Sequence, residues 1–112
     1  MKRFTETTKW ADPWYRALSP ADKLLWIYML DVCDHAGILE MDWPLASFVI
    51  GEEVTPANLR VFAGRVEKLK DDKLWIVGFV KFQWGPTPPS NRIGQTIARR
   101  LGHYKLLERA FQ

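Results

Sequence analysis

The order of helix and strand signals predicts an α+β fold in which a three-helix core is joined to a short strand, a β-hairpin and a C-terminal helix. Ser19-Pro20 and Thr55-Pro56 each combine a favoured N-cap residue with a proline in the first helical turn. Residues 74–84 are rich in Trp, Ile, Val and Phe, which are typical of strands. Together these signals indicate a winged helix-turn-helix, with the hairpin as the wing.

The first half of this core is predicted in three elements. A helix from Pro20 to Asp34 is apolar around most of its circumference, which indicates a central, largely buried helix that stops at Gly37. Ile38–Met41 is a short strand. Asp42 then caps a second helix from Trp43 to Val49.

The second half is predicted as a helix followed by the wing. The helix runs from Thr55 to Leu69, and one apolar stripe at helical spacing supports it, formed by Leu59, Phe62, Val66 and Leu69. Residues 70–73 are a charged turn, and the hairpin runs from Leu74 to Trp84 with a bend at Gly78.

The chain of 112 residues suits one domain with an appended helix. Residues 1–85 are predicted as the winged-helix domain with an aromatic N-terminal arm, 86–91 as a Pro-rich connector and 92–112 as a basic C-terminal helix. This last helix either lies across a phosphate backbone or pairs a homodimer through its apolar side, which consists of Ile93, Ile97, Leu101 and Leu107.

The distribution of charge says more than the net charge of +3. Residues 19–54 hold one lysine and seven acidic residues, a net charge of −6. Residues 55–112 hold eleven basic and four acidic residues, a net charge of +7. A chain divided in this way can be oriented on a polyanion, so double-stranded DNA is the partner that we expect.

The helix from Thr55 to Leu69 is the predicted recognition helix, which enters the major groove. Arg60 and Arg65 are expected to contact guanine or phosphate, and Asn58 to read adenine. The free N–H groups beside Thr55 suit a phosphate. Further phosphate contacts are predicted for two groups of cations, Lys68, Lys70 and Lys73 of the wing and Arg99 and Arg100 of the last helix. Asp71 and Asp72 argue against deep insertion of the wing.

Three stretches carry a family resemblance: Lys9-Trp10-x-Asp12-Pro13-Trp14-Tyr15-Arg16-x-Leu18-Ser19-Pro20, then Asp34-x-x-Gly37-Ile38 with Asp42-Trp43, and Phe82-Gln83-Trp84-Gly85. In them the sequence resembles the N-terminal domain of phage replication-initiation (replisome-organiser) proteins. The resemblance implies a winged helix that recognises origin DNA and acts in replication or transcription regulation in the host cytoplasm. Many such proteins continue into a part that engages the helicase-loading machinery. The chain stops at Gln112, so we expect a stand-alone DNA-binding or regulatory protein.

Other classes of function have less support. We expect no enzyme, cofactor or metal site, because the sequence has neither a phosphate-binding Gly loop nor zinc-ligand spacing. His35 is interpreted as a cation at a helix C-terminus, and Cys33 as a buried core thiol. The N-terminus lacks the apolar run of a signal peptide, and no stretch suits a membrane span, so a cytoplasmic protein is predicted.

Two binding alternatives remain open. In the first alternative the chain is a protein–protein interaction module, acting as a phage adaptor or as an inhibitor of a host or replication factor. Such a module would use the winged-helix surface or the acidic segment 31–53. The second alternative is single-strand binding through exposed aromatic residues such as Trp75 and Trp84.

Overall fold

The computed structural model describes residues 2–87 and 89–112. Its elements are a 3₁₀ helix Thr7–Ala11, α1 Pro13–Arg16, α2 Pro20–Val32, β1 Ile38–Leu39, α3 Trp43–Ile50, a second 3₁₀ helix Pro56–Phe62, β2 Val66–Lys68, β3 Leu74–Ile76, α4 Phe79–Trp84, α5 Arg92–His103 and α6 Leu107–Ala110. The fold is α+β, as predicted, and the order from α2 to β3 is compatible with a winged helix.

Local capping chemistry starts the helices where the sequence predicts. Ser19 Oγ accepts from the backbone N–H of Asp22 at 3.1 Å at the start of α2. Asp42 Oδ1 accepts from the N–H of Leu45 at 3.1 Å at the start of α3. Each bond satisfies a backbone donor that has no partner within the first helical turn. The predicted N-termini of both helices are therefore confirmed.

The sheet has three antiparallel strands in the order β1-β3-β2. Ile38 lies opposite Trp75, and Val66 lies opposite Ile76. Side chains alternate along β3 as expected for a strand. Leu74 and Ile76 enter one apolar cluster, whereas Trp75 enters a second cluster on the other face.

The two clusters divide the core between the faces of the sheet. The first joins the sheet to α1, α2 and α3, and its fully buried members include Leu25, Met29 and Phe62. The second joins the sheet to α5 and α6, through Ile97, Leu101 and residues around them. Since Ile97 and Leu101 are fully buried within the chain, they are not free to pair a homodimer. Of the four apolar residues predicted to form a dimer contact, Leu107 is the most exposed.

The predicted recognition helix from Thr55 to Leu69 is wrong in its second half. Only Pro56–Phe62 is helical, with 3₁₀ geometry, and the chain then turns at Gly64. Gly64 has φ +82°, a left-handed conformation that glycine adopts without the cost of a Cβ and that interrupts a right-handed helix. Val66–Lys68 is strand β2, because these residues pair with β3.

The predicted hairpin from Leu74 to Trp84 is also wrong. Strand β3 ends at Ile76, and Gly78 is the N-cap of helix α4 rather than a bend within a strand. Phe79, Val80 and Gln83 are the buried residues of α4, at a spacing that one helix face provides. The hairpin of the structure is therefore β2–β3, with residues 69–73 as its turn; it takes the place of the predicted wing, and we call it the wing below.

Helix α2 is less buried than its composition predicts. It ends at Val32, because Cys33 adopts an extended conformation, and Gly37 lies beyond it in the turn before β1. Ala21, Leu25 and Met29 form one buried stripe four residues apart, but 49% of Leu24 and 47% of Val32 are exposed. Trp26, Ile27, Tyr28 and Leu30 are partly buried against the first cluster, so the exposed part of the helix is a narrow strip that includes Leu24 and Asp31.

The C-terminal helix is divided. Helix α5 ends at His103, Lys105 has φ +59°, and α6 begins at Leu107. This break turns Leu106 into the core and leaves 40% of Leu107 exposed, so the prediction of one basic helix over residues 92–112 is wrong. None of the helices within residues 2–87 and 89–112 has the length and apolar composition that crossing a bilayer requires.

Candidate nucleic-acid interface

The turn of the wing presents its charged residues at the tip of the hairpin. The N–H of Leu69 donates to the carbonyl of Lys73 at 2.8 Å and closes the turn. Asp71 and Asp72 have φ values of +61° and +57°, a conformation that aspartate tolerates better than most residues. Lys70, Asp71 and Asp72 are exposed, so lysine and aspartate side chains both reach solvent there.

The tip of the wing meets the end of α5 at Tyr104. Lys70 Nζ lies 5.6 Å from the centre of the Tyr104 ring, and Arg100 Cζ lies 5.7 Å from the same centre. Both distances suit attraction between a cation and an aromatic face. Lys70 belongs to the predicted wing and Arg100 to the predicted last helix, so cations from two separate elements are adjacent here. We call Lys70, Lys73, Arg100 and Tyr104 the wing-tip cluster.

Two of the cluster's cations pair with residues of the acidic segment. Lys73 Nζ lies 2.7 Å from Glu40 Oε2, and its hydrogen bond to Glu40 raises the pKa of Lys73. Arg100 Nε donates to Asp34 Oδ2 at 3.0 Å. These acids reduce the positive potential of the cluster. Lys70 and Arg99 are exposed, and neither forms an ion pair within the described part of the chain.

A groove of about 430 Å³ runs between the wing and the second 3₁₀ helix. Lys68, Lys73 and Asp72 line its wing side, Pro56 and Leu59 its helical side, and Glu40 also lines it. Lys68 is exposed on β2, so its charge is open to solvent beside the groove.

Thr55 and Asn58 are used by the fold. Asn58 Oδ1 accepts from the N–H of Thr55 at 2.9 Å, and Thr55 Oγ1 accepts from the N–H of Ala57 at 3.3 Å. Asn58 Nδ2 donates to Asp22 Oδ1 at 3.1 Å. The Asn58 amide therefore caps the 3₁₀ helix and ties it to α2, which leaves it poorly placed to read adenine.

The two predicted base-reading arginines lie in different surroundings. Arg60 is exposed in the last turn of the 3₁₀ helix. Arg65 Cζ lies 3.7 Å from the centre of the Trp14 ring. Arg65 also lines an apolar cavity of about 490 Å³ beneath the N-terminal arm, together with Trp14, Tyr15 and Phe79. Arg65 is exposed but stacks on Trp14, whereas Arg60 is exposed and has no such aromatic contact in the described part of the chain.

Three other residues singled out in the sequence, His35, Trp75 and Cys33, are engaged in the fold. His35 lies beyond the end of α2, so its interpretation as the last-turn cation is wrong; its carbonyl accepts from Trp84 Nε1 at 2.8 Å. Trp75 is fully buried and donates to the carbonyl of Ala36 at 3.2 Å, so it is not the exposed platform that single-strand binding would need. The Cys33 thiol is buried, as predicted.

Comparisons with protein-family models, with curated proteins and with solved structures found no match for this chain. The resemblance to replisome-organiser domains therefore stays a prediction. Sequence reasoning missed Tyr104 as the meeting point of the wing and α5, and Glu40 as the partner of Lys73. The Lys70–Tyr104 and Lys73–Glu40 contacts each join residues more than 30 positions apart. The sequence therefore offers only the aromatic or acidic type of the residue as a signal for each contact.

Proposed function

We propose that this protein binds double-stranded DNA through the phosphate backbone, with the wing and the end of α5 as the main contact surface. The observation that carries the proposal is the junction at Tyr104, which places Lys70 and Arg100 against one ring. We assign two further exposed cations to this surface, Lys68, which lines the groove with Lys73, and Arg99, which precedes Arg100 on α5. Clustered lysine and arginine side chains contribute to DNA affinity chiefly by neutralising phosphates.

The sheet order and the element order support a winged-helix mode of binding. In such proteins a helix enters the major groove while the hairpin reaches a neighbouring groove or the phosphates. Here the element at the helix position is Pro56–Phe62, and the groove beside it is bounded by Lys68 and Lys73 of the wing.

Binding of this kind has limited sequence preference. The 3₁₀ helix has seven residues, and the Asn58 amide is occupied by Thr55 and Asp22. Arg60 is the remaining side chain of that element suited to a bidentate contact with guanine. We place the protein among duplex-binding proteins of phage type that act in replication or transcription regulation, on the strength of the family resemblance.

A salt titration with variants tests the proposal. Anisotropy of a labelled 20-base-pair duplex of random sequence would be measured between 50 and 200 mM NaCl. The affinity should fall steeply with salt, because bound cations release counterions. Lys70→Ala with Arg99→Ala should weaken binding at 50 mM about tenfold and lower the salt slope by about 2.

The matched control is Lys2→Ala with Arg16→Ala, which removes the same charge from two exposed residues outside the wing-tip cluster. It should change the affinity by less than about threefold, as expected for a general effect of net charge. No binding of the wild type at 50 mM NaCl, or equal losses in the two double variants, would overturn the proposal.

A further inference from the structure

Helix α3 exposes an apolar face that no described part of the chain covers. Phe48 is 84% exposed, Val49 59% and Leu45 48%. These residues are spaced i, i+3 and i+4, so they lie together on one side of the helix. The core-facing side carries the fully buried Ala46 together with the partly buried Trp43 and Ile50. Apolar side chains grouped on a surface in this way mark an interaction site more often than isolated ones do.

Acidic residues stand at both ends of this apolar face. Asp42 is the N-cap of α3, and Glu52 and Glu53 follow Gly51, the C-cap of the helix. All three are exposed, and α3 itself has no charged residue. The segment that contains them, residues 19–54, has one lysine and seven acidic residues.

The acidic loop is fixed to the helix. Ser47 Oγ accepts from the N–H of Val54 at 2.9 Å and donates to the carbonyl of Val54 at 3.1 Å. Val54 is buried, so the short loop between Gly51 and Val54 is held at both ends. Glu52 and Glu53 are therefore presented at a defined position beside the apolar face.

We propose that this surface, defined as Leu45, Phe48 and Val49 with the acidic rim Asp42, Glu52 and Glu53, docks an amphipathic helix of another protein whose apolar stripe is flanked by lysine or arginine. Apolar residues at i, i+3 and i+4 are the pattern by which helices dock on one another. The acidic rim selects a cationic partner and disfavours DNA and anionic lipid, because both are polyanions.

A second copy of the described chain is a poorer occupant. Its basic helix α5 has the right charge, but the apolar residues Ile97 and Leu101 of that helix are already buried against the sheet. The partner is therefore a different protein that presents a basic helix. This site is separate from the wing-tip cluster, so it stands whether or not the protein binds DNA.

A peptide experiment tests the site. The probe is a labelled 18-residue peptide of leucine and lysine, patterned as an amphipathic helix, and its anisotropy is followed at 150 mM NaCl. Phe48→Ser should weaken binding at least tenfold, whereas Phe82→Ser, on the exposed side of α4, should change it less than twofold. Because Phe48 is 84% exposed, its variant should keep the wild-type circular dichroism spectrum and unfolding midpoint.

The acidic rim is tested in the same assay. Glu52→Gln with Glu53→Gln should weaken peptide binding about fivefold and reduce its dependence on salt. The control is Asp71→Asn with Asp72→Asn, which removes the same charge from another part of the surface. Equal binding of a peptide with glutamate in place of lysine would overturn the proposal. So would unchanged binding by Phe48→Ser, or a dimer of the chain alone that this variant abolishes.

Discussion

Asp34 accepts from Arg100 Nε through Oδ2 at 3.0 Å and from the backbone N–H groups of Ala36 and Ile38 through Oδ1 at 2.9 and 3.0 Å. One carboxylate therefore closes the turn before β1 and ties that turn to α5. The first core and the C-terminal helix are linked at this point, which also positions Arg100 beside Tyr104.

Replacing Asp34 should separate the two roles of its carboxylate. Asp34→Ala leaves two backbone donors without their acceptor and should lower the free energy of unfolding by about 2–3 kcal/mol. Asp34→Asn keeps the Oδ1 acceptor and loses only a half-exposed ion pair, so its loss should be about 0.5 kcal/mol. Urea unfolding measures both values. Equal losses would contradict the assignment of the turn to Oδ1.

Two glycines of α5 should respond in opposite directions to alanine. A Cβ on Gly94 would overlap the carbonyl oxygen of Pro89, whereas a Cβ on Gly102 meets nothing within 4 Å. Gly94→Ala should therefore lower the thermal unfolding midpoint, because the connector must move. Gly102→Ala should raise the free energy of unfolding by up to about 0.5–1 kcal/mol, as in an open helix position. A gain for Gly94→Ala would show that the connector does not contact α5 in this way.

The Cys33 thiol should stay protonated and unreactive in the folded protein. Burial raises the pKa of Cys33 to about 12 from its ordinary value of 9.0. Above pH 9 the unfolded chain loses this proton and the folded chain keeps it, so stability falls as pH rises towards 12, by about 1.4 kcal/mol per pH unit. Urea unfolding of the wild type and Cys33→Ala between pH 8 and 11 should show a steeper decline for the wild type. Parallel curves would exclude a raised pKa.

Asn58 should matter for stability rather than for sequence recognition. Asn58→Ala removes its bonds to Thr55 and Asp22, and the free energy of unfolding should fall by about 1–2 kcal/mol. The ratio of affinities for A·T-rich and G·C-rich duplexes should stay within twofold of the wild type. If that ratio changes while the stability does not, Asn58 reads bases as its residue type predicts.

Releasing Lys73 should strengthen duplex binding. Glu40→Gln removes the acid that pairs with Lys73 at 2.7 Å, and the affinity for random duplex at 50 mM NaCl should rise about three- to fivefold. Asp31→Asn is the control, since Asp31 is an exposed acid on α2 outside the wing-tip cluster. An equal rise in affinity in both variants would indicate that net charge alone causes the change and that the wing has no specific role.

Local signals in the sequence predict the local structure well. Ser19-Pro20 and Asp42 start helices because the capping side chain and the backbone donor lie within three residues. The alternation of Leu74, Trp75 and Ile76 is equally local and holds in β3. Such features are determined by neighbouring residues, so they can be predicted without tertiary contacts.

Predictions failed where distant residues decide between two structures. The stripe from Leu59 to Leu69 satisfies helical spacing, yet Val66 pairs with Ile76 once Gly64 has turned the chain. Phe79–Trp84 has the composition of a strand, but its burial follows one helix face. The wing-tip cluster depends on a contact between Lys70 and Tyr104, which no local pattern indicates.

In the proposed complex, duplex DNA contacts the wing and the end of α5. The most direct measurement is titration of a ¹⁵N-labelled protein with a random 20-base-pair duplex, followed by amide chemical shifts at low salt. We expect the largest shifts in residues 68–73 and 99–105, with smaller shifts at Arg60. Shifts centred on Leu45, Phe48 and Val49, or no shifts at all, would contradict it.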